Sequence, residues 1–340
     1  MSNKILLNLF KKGSEFLETK YPIMGGAMTW LSERSLVSAV SNAGGFGVIA
    51  AGSMSKTELE TEIDETRKRT SKPFGVNLIL LHPDIDKLID SCVLKKVNAV
   101  VFAGGFPKKS QILKLKSAKI KTLCFATSNN IAQKMISNGV DALILEGNEA
   151  GGHIGPVSIN VLVQEILPNV TSVPVFVAGG IGRGELLLKF LELGAAGCQI
   201  GTRLVCSHES IAHEKFKEIF IKSEARNCKI SVKLDNRLPV IPVRAIENNA
   251  TQLFIEEQKK VINQLDNKKV TLGDAQLKIE HFWAGSLRKA VINGDIENGS
   301  LMAGQSVSLV KKKQKVKEIF EEILNQAEKQ LFIERKSKNE

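Results

Sequence analysis

From Tyr21 to Arg203 the chain alternates two textures. Short apolar runs, many of them β-branched, end in glycine or a small polar residue. They are YPIMGG (21–26), FGVIAAG (46–52), FGVNLIL (74–80), AVVFAGG (99–105), TLCFATS (122–128), ALILEGN (142–148), VPVFVAGG (173–180) and CQIGTR (198–203). Between them lie stretches of helical patterning such as SERSLVSAVSNAG (32–44), TELETEIDETRKRT (57–70) and NNIAQKMISNGV (129–140). Several runs are apolar throughout, as strands buried on both faces are. Their alternation with helices predicts parallel β-α-β units. Eight evenly spaced units predict an α/β fold of the closed (β/α)8 TIM-barrel type, with an open doubly wound sheet as the alternative.

After Arg203 the rhythm stops. Residues 207–270 are polar and helix-rich, with a turn-like interruption at NRLPVIPVR (236–244), and read as a small helical insertion or lid. Residues 281–310 return to small residues and glycine, and Gly299 to Gln305 are placed to come back to the barrel mouth. A terminal helix is predicted from about residue 311. The organisation expected is a barrel over 1–206, an insertion over 207–280, and a return segment with a C-terminal helix over 281–340. At the other end, the apolar patch Ile5 to Phe10, broken by Asn8, predicts a short amphipathic helix that caps part of the fold.

The length of 340 residues suits one barrel of about 250 residues with an addition. An apolar fraction of 43% and a charged fraction of 24% are ordinary for a globular protein. No apolar run approaches the roughly 18–20 residues a membrane span needs. The N-terminal patch is short for a secretory signal and no small-residue cleavage site follows it, so a cytoplasmic location is the default expectation. The five cysteines are scattered with no CxxC pair, which argues against a disulfide framework and against a structural metal. No HxxxH or comparable ligand spacing occurs, so no metal is expected. The net charge of +11 admits nucleic acid, an anionic cofactor or an acidic protein as partner. The lysines are dispersed, apart from Lys311 to Lys313 and the C-terminus, where a solvated helix face is the simpler reading. No nucleic-acid motif appears, and one Tyr and two Trp leave few stacking platforms.

In a barrel, the C-terminal ends of the strands gather on the face where active sites are built. Six of the eight predicted ends carry glycine, which suggests backbone closely approaching a large ligand. In VAGGIGRGELLLKFLELGAAGCQIGTR (177–203), Gly179-Gly180 follow the seventh strand and Gly201-Thr202 follow the eighth. Loops at these positions bind phosphate through backbone N–H groups. Gly25, Gly26 and Met28 end the first strand, where backbone can meet a planar ring edge and Met28 can cover its face or pack in the core. Asn77 interrupts an apolar strand, and its amide needs a partner from a ligand or from the protein. The stretch EGNEAGGHIG (146–155) sets His153 among four glycines and two carboxylates. Its glycines leave room for a flat substrate, its imidazole suits proton transfer, and Glu146 or Glu149 could orient or tune that imidazole. The other histidines lack such surroundings.

Taken together, GGAM, GVNLILL, EGNEAGGHIG, VFVAGGIGRG and QIGTR resemble the flavin-dependent nitronate monooxygenase (2-nitropropane dioxygenase) family. Enoyl-[acyl-carrier-protein] reductase II is a member of the same superfamily. The likeness covers roughly residues 20–310. It implies non-covalent FMN with its phosphate at the loops after the seventh and eighth strands, and it puts His153 near the flavin. It carries cofactor contacts onto Gly25, Gly26, Met28, Asn77, Glu146, Gly151, Gly152, Ala178, Gly179, Gly180, Gln199, Gly201, Thr202, Met302 and Gln305. Two activities are implied. One is oxidation of alkyl nitronates with O2. The other is NAD(P)H-dependent reduction of 2-enoyl thioesters, to which EGNEAGGHIG and AGSLRKAVINGDIENGSLMAGQ (284–305) look closer. Against the reductase, MGGAM stands where its pattern has QGGM, and a polar side chain is missing there. The substrate is thus a small molecule, nitronate or enoyl thioester. A basic surface would suit an acidic acyl carrier protein, no membrane or nucleic-acid partner is expected, and a homodimer is left open. A flavin-binding protein without turnover is the remaining alternative, and the intact His153 loop speaks against it.

Overall fold

A computed structural model describes residues 2–238 and 241–339. Eight parallel strands form the centre: β1 (Ile23–Gly25), β2 (Gly47–Ala50), β3 (Phe74–Ile79), β4 (Ala99–Ala103), β5 (Lys121–Ala126), β6 (Ala142–Glu146), β8 (Val175–Ala178) and β9 (Gly197–Ile200). They pair in the order β1-β9-β8-β6-β5-β4-β3-β2. A parallel bridge between Met24 and Phe46 joins the two outer strands, with Phe46 N donating to Ile23 O and Gly25 N to Phe46 O, both at 2.9 Å. The sheet therefore closes into the predicted barrel. The short strand β7 (Gly152–His153) lies outside it.

The helices of the outer layer are α2 (Arg34–Asn42), α3 (Lys56–Arg69), α4 (Ile85–Leu94), α5 (Lys109–Ser117), α6 (Asn129–Ser137), α7 (Ile159–Ile166) and α8 (Gly184–Glu192). Several start on a side-chain cap. The Ser55 hydroxyl accepts from Glu58 N while Glu58 reaches back to Ser55 N, the reciprocal arrangement that satisfies two orphan donors. Strand residues alternate between two apolar regions. Met24, Phe46, Val48, Val101, Leu123, Ile144 and Phe176 fill the barrel interior. Ile23, Ile49, Val76, Val100, Leu143 and Val177 face the helices.

The expected N-terminal cap is α1 (Ser2–Leu17), which closes the barrel at the strands' N-terminal ends. Gly13 lets it approach the Ala196 carbonyl, Lys121 Nζ donates to Phe16 O, and the Phe16 and Phe176 rings sit 6.0 Å apart. This end is plugged, so a ligand must enter from the opposite face.

After β9 come α9 (Thr202–Val205), α10 (Glu214–Lys222), β10 (Cys228–Ile230), β11 (Val243–Ile246), α11 (Asn249–Asp266), α12 (Leu272–Val291), β12 (Leu301–Met302) and α13 (Val316–Asn339). The insertion is mostly helical, but it also carries two strands that the polar pattern hid. One edge of β11 pairs with β10, and the other pairs with β7 and β12, all antiparallel. Pro239 and Val240 of the predicted interruption lie outside the described residues. The terminal helix starts at Val316, not at 311, because the Glu209 carboxylate accepts from Val316 N at 3.0 Å and so caps it there. Lys311 to Lys313 precede that helix, and Lys313 pairs with Glu214 of α10. Among the described residues no helix is long and apolar enough to cross a membrane.

Candidate active site

At the end of β6 the chain turns outward through Gly147, whose N–H donates to Ala178 O at 3.0 Å. A Cβ on Gly147 would collide with the Glu149 carboxylate and Ile159. One on Gly151 would lie 2.5 Å from the Ala303 carbonyl carbon and the Gly304 nitrogen, and one on Gly155 would lie 3.0 Å from Thr127 Cγ2. Gly152 has φ +77°, the left-handed region that other residues avoid. Three of the four glycines thus answer to neighbouring protein and the fourth to backbone geometry. Beside the room the glycines were expected to leave for a flat substrate, they allow close packing of the loop on the 303–304 segment.

His153 follows on β7, opposite Val243 of β11, and Ile154 N donates to Pro242 O at 2.9 Å. The buried Arg244 fastens this joint. Its Nε donates to Asn148 O and its Nη1 to Cys228 O, each at 2.8 Å. Burial lowers the pKa of its guanidinium. The imidazole is therefore held between a barrel loop and the insertion.

A cavity of about 610 Å³ opens at the C-terminal ends of the strands. His153 and every predicted cofactor contact except Gly25 and Gln305 line it. Gly25 faces Val40 and Leu204, in the packing between β1 and the helices. Gln305 N donates to Glu149 O at 2.9 Å, bracing the His153 loop from behind. The lining also includes residues that sequence reasoning missed, chiefly Phe102, Phe106, Phe125, Ile131 and Leu287. Phe125 stands at the end of a predicted strand, where position alone could have flagged it. Leu287 lies in the distant α12 and gave no such signal.

Asn77 donates Nδ2 to Val101 O at 3.1 Å, so the protein meets part of its need while the residue still borders the cavity. Glu146 sits at the cavity wall, crowded by protein, and burial pushes its carboxyl up to about 8. Its side chain makes no hydrogen bond among the described residues. Burial thus favours the protonated form, which is able to donate a hydrogen bond. Gly179 and Gly180 have φ of +95° and +72°, and among the described residues none of the N–H groups of Gly179, Gly180, Ile181 and Gly201 has a protein acceptor. Consecutive backbone donors of this kind make an anion-binding concavity, which suits a phosphate. Thr202 Oγ1 accepts from Gly304 N at 3.0 Å, tying the return segment to the same place.

The expected carboxylate partners of His153 are not its partners. Glu149 accepts from Ser158 Oγ at 2.7 Å and Ile159 N at 3.1 Å, which caps α7. Glu280 of α12 takes that place instead, with its Oε2 3.1 Å from His153 Nε2. The N–H is not aimed along that line, so the contact is at ion-pair distance without hydrogen-bond alignment. Glu280 is 127 residues away in the chain, and no local pattern marks it. Among the described residues no group of three or more His, Cys, Asp or Glu side chains could hold a metal ion.

Comparison with known proteins agrees with this geometry. The sequence profile described as nitronate monooxygenase matches residues 11–91 and 84–326. A probable nitronate monooxygenase of Staphylococcus aureus (strain MSSA476) is 31% identical, over 87% of this chain and 91% of its own. An octahydro-indene carboxyl-CoA dehydrogenase of Rhodococcus jostii (strain RHA1) is 35% identical over 65% of this chain, a match that spans 62% of the relative. The structure of FabK from Thermotoga maritima superposes with a TM-score of 0.84 at 36% identity, covering 95% of this chain and 98% of that one. The profile runs from the N-terminal cap into the C-terminal helix and takes in every loop that lines the cavity. This chain accordingly belongs to the nitronate monooxygenase family and is an oxidoreductase of that family.

Proposed function

We propose that this chain is an FMN-dependent oxidoreductase that oxidises alkyl nitronates with O2, with His153 handling the substrate proton. The observation that carries the reading is the meeting, in one cavity, of His153 with backbone donors that have no protein acceptor. Gly179, Gly180 and Gly201 would hold the cofactor phosphate through their N–H groups, with Thr202 beside them. Gly26, Met28, Asn77, Ala178 and Gln199 border the space for the ring, and Gly151, Gly152 and Met302 border it on the side of the His153 loop. When bound, FMN supplies the two-electron redox chemistry.

The chain's own residues then have separate tasks. In the protonated form that burial favours, Glu146 adds no negative charge beside an anionic substrate and has a proton to donate in a hydrogen bond. Phe102, Phe125, Ile131 and Leu287 keep water away from the reacting atoms. His153 lines the cavity and its Nδ1 bonds to no group among the described residues, which leaves the imidazole free to take a proton from a nitroalkane carbon or return one.

A second reading is reduction of a 2-enoyl thioester by NAD(P)H, with His153 as the proton donor. It is favoured by the apolar side chains along the cavity, among them Phe125, Ile131 and Leu287, with Phe106 50% exposed, which offer an apolar lining for an acyl chain. The CoA ester in the name of the Rhodococcus relative supports the same class. In that reading the net charge of +11 would favour an acidic carrier protein.

The test is anaerobic mixing of the FMN-loaded protein, followed by flavin absorbance. Bleaching by an alkyl nitronate and not by NADH or NADPH, with O2 uptake in air, is the expected result. Rapid bleaching by a nicotinamide, reversed by an enoyl thioester, would replace the first reading with the second. A protein that stays colourless after reconstitution with FMN would remove both. With a neutral nitroalkane, whose carbon proton must leave to give the nitronate, His153→Ala should retain FMN and lose at least about 10²-fold in turnover, the scale of general acid–base catalysis, while turnover of the preformed nitronate should fall less.

A further inference from the structure

We infer that Glu280 is the positioning residue of His153, and that α12 of the insertion exists at the barrel mouth to deliver it. The inference rests on the reading of His153 as the proton-handling side chain. Three observations lead to it.

The first is the state of the imidazole. Nε2 is sealed from solvent and finds no aligned hydrogen-bond acceptor, yet a carboxylate oxygen stands 3.1 Å away. At this separation the partial positive charge of an Nε2–H is attracted to the carboxylate even off the hydrogen-bond line, whereas the negative charge of an unprotonated Nε2 is repelled by it. The neutral ring therefore carries its proton on Nε2 and keeps Nδ1 unprotonated. The partner of one ring nitrogen sets the task of the other.

The second is the face that α12 turns to the barrel. Glu280, Ala284, Leu287 and Arg288 recur at helical spacing. Glu280 meets His153, the Ala284 carbonyl accepts from Trp30 Nε1 at 3.0 Å, Leu287 lines the cavity, and the Arg288 guanidinium stands 5.5 Å from the Trp30 ring centroid. The opposite face, with Ala275, Ile279 and Trp283, packs with Phe254 into the insertion's own core.

The third is strain. Trp30 has φ +66°, a left-handed conformation that a bulky residue adopts only when its surroundings hold it there. What the strained turn secures is the bond to α12. The barrel loop after β1 thus grips the helix that supplies the carboxylate.

The experiment combines single and double substitutions, Glu280→Gln, His153→Gln and both together, with a structural readout. FMN affinity and melting temperature are measured for each. Turnover is measured with the substrate that proves active and needs a proton moved, neutral 2-nitropropane or crotonyl-CoA. Glu280→Gln is expected to lower kcat by at least about tenfold, a fraction of what acid–base catalysis supplies, with KM and FMN affinity within about twofold. Placed on His153→Gln, it is expected to cost nothing more, because a positioning residue acts through its partner. Glu280→Asp should recover part of the loss. Independently of activity, 15N-histidine spectra at about pH 9, where an ordinary imidazole is neutral, should show His153 as the Nε2–H tautomer and a tautomer mixture in Glu280→Gln. The His153→Gln spectrum assigns the signal. Unchanged kcat in Glu280→Gln, the same fold-loss on the His153→Gln background, or an unchanged tautomer overturns the inference. Full turnover in His153→Gln would instead sink the catalytic reading of His153, and the tautomer spectrum would still decide whether Glu280 orients the ring.

Discussion

Gly151 and Glu146 stand five residues apart in one motif and answer to different physics. Gly151 is glycine because backbone at 303–304 occupies the place of a side chain. Gly151→Ala cannot be relieved by a rotamer change and should cost about 1–3 kcal/mol, as overpacking does. Urea unfolding checks the cost, and FMN affinity should fall with it because the loop must move. Glu146 is constrained by desolvation. Its pKa rises from 4.5 to about 8 on folding, so between those values the folded protein holds a proton that the unfolded chain has released. Stability from this group is complete below about pH 4.5 and is lost as pH climbs through about 8. Glu146→Gln removes that dependence. The apo variant should melt higher than the parent at pH 8 and closer to it at pH 5, read by scanning calorimetry. The motif was legible in sequence, but the reasons for its residues were not, since both depend on neighbours from other elements.

At the scale of elements, the site is a joint between two structures. Loops at the barrel ends supply glycines and His153, and the insertion supplies β11, Arg244 and α12. Trp30→Phe keeps the ring but removes the hydrogen bond to Ala284, worth about 0.5–1.5 kcal/mol. The expected effect is faster amide exchange confined to α12 and its partners, with the barrel strands unchanged. Exchange that accelerates equally in β3 and β4 would show that the contact holds more than the joint. Ser158 offers a control within the barrel layer. It accepts from Asn160 N at 3.3 Å and helps cap α7. Ser158→Ala should cost about 1 kcal/mol of stability and leave α12 exchange as it was. The β-α rhythm announced the barrel elements because each satisfies its own periodicity. β10 and β11 were hidden because they stand outside the β-α rhythm, β10 is exposed at two of its three positions, and β11 pairs with β7 and β12 from distant parts of the chain.

The molecule as a whole is closed by its last helix. α13 lies against α8, α1 and α2, and it buries Val316, Ile319, Phe320, Ile323, Ala327 and Leu331. Gly184 lacks a side chain because the α13 backbone at Ile323 passes through that space. Exposing the large apolar side chains costs about 1.5–3 kcal/mol each, comparable in sum with the roughly 5–15 kcal/mol that holds a domain together. A chain ended before Val316 should therefore lack a cooperative thermal transition by circular dichroism, although the deletion leaves every cavity residue in place.

The amino-acid sequence by itself determined the barrel, the end of it where the cavity opens, and the glycine-rich part of the cavity wall. Each of those follows from local causes: apolar runs of strand length, helices at regular spacing, and glycines where a strand ends. It also placed His153 beside that cavity, because the loop after the sixth predicted strand can go nowhere else. Tertiary structure alone decided the partner of His153, since Glu280 arrives from a helix 127 residues away and is selected by docking, not by spacing. It likewise decided that Glu149 caps a helix, that Gly25 belongs to packing, and that burial raises the pKa of Glu146. The division has one physical origin. Backbone periodicity is a property of neighbours in the chain, whereas desolvation, steric exclusion and ion pairing depend on neighbours in space.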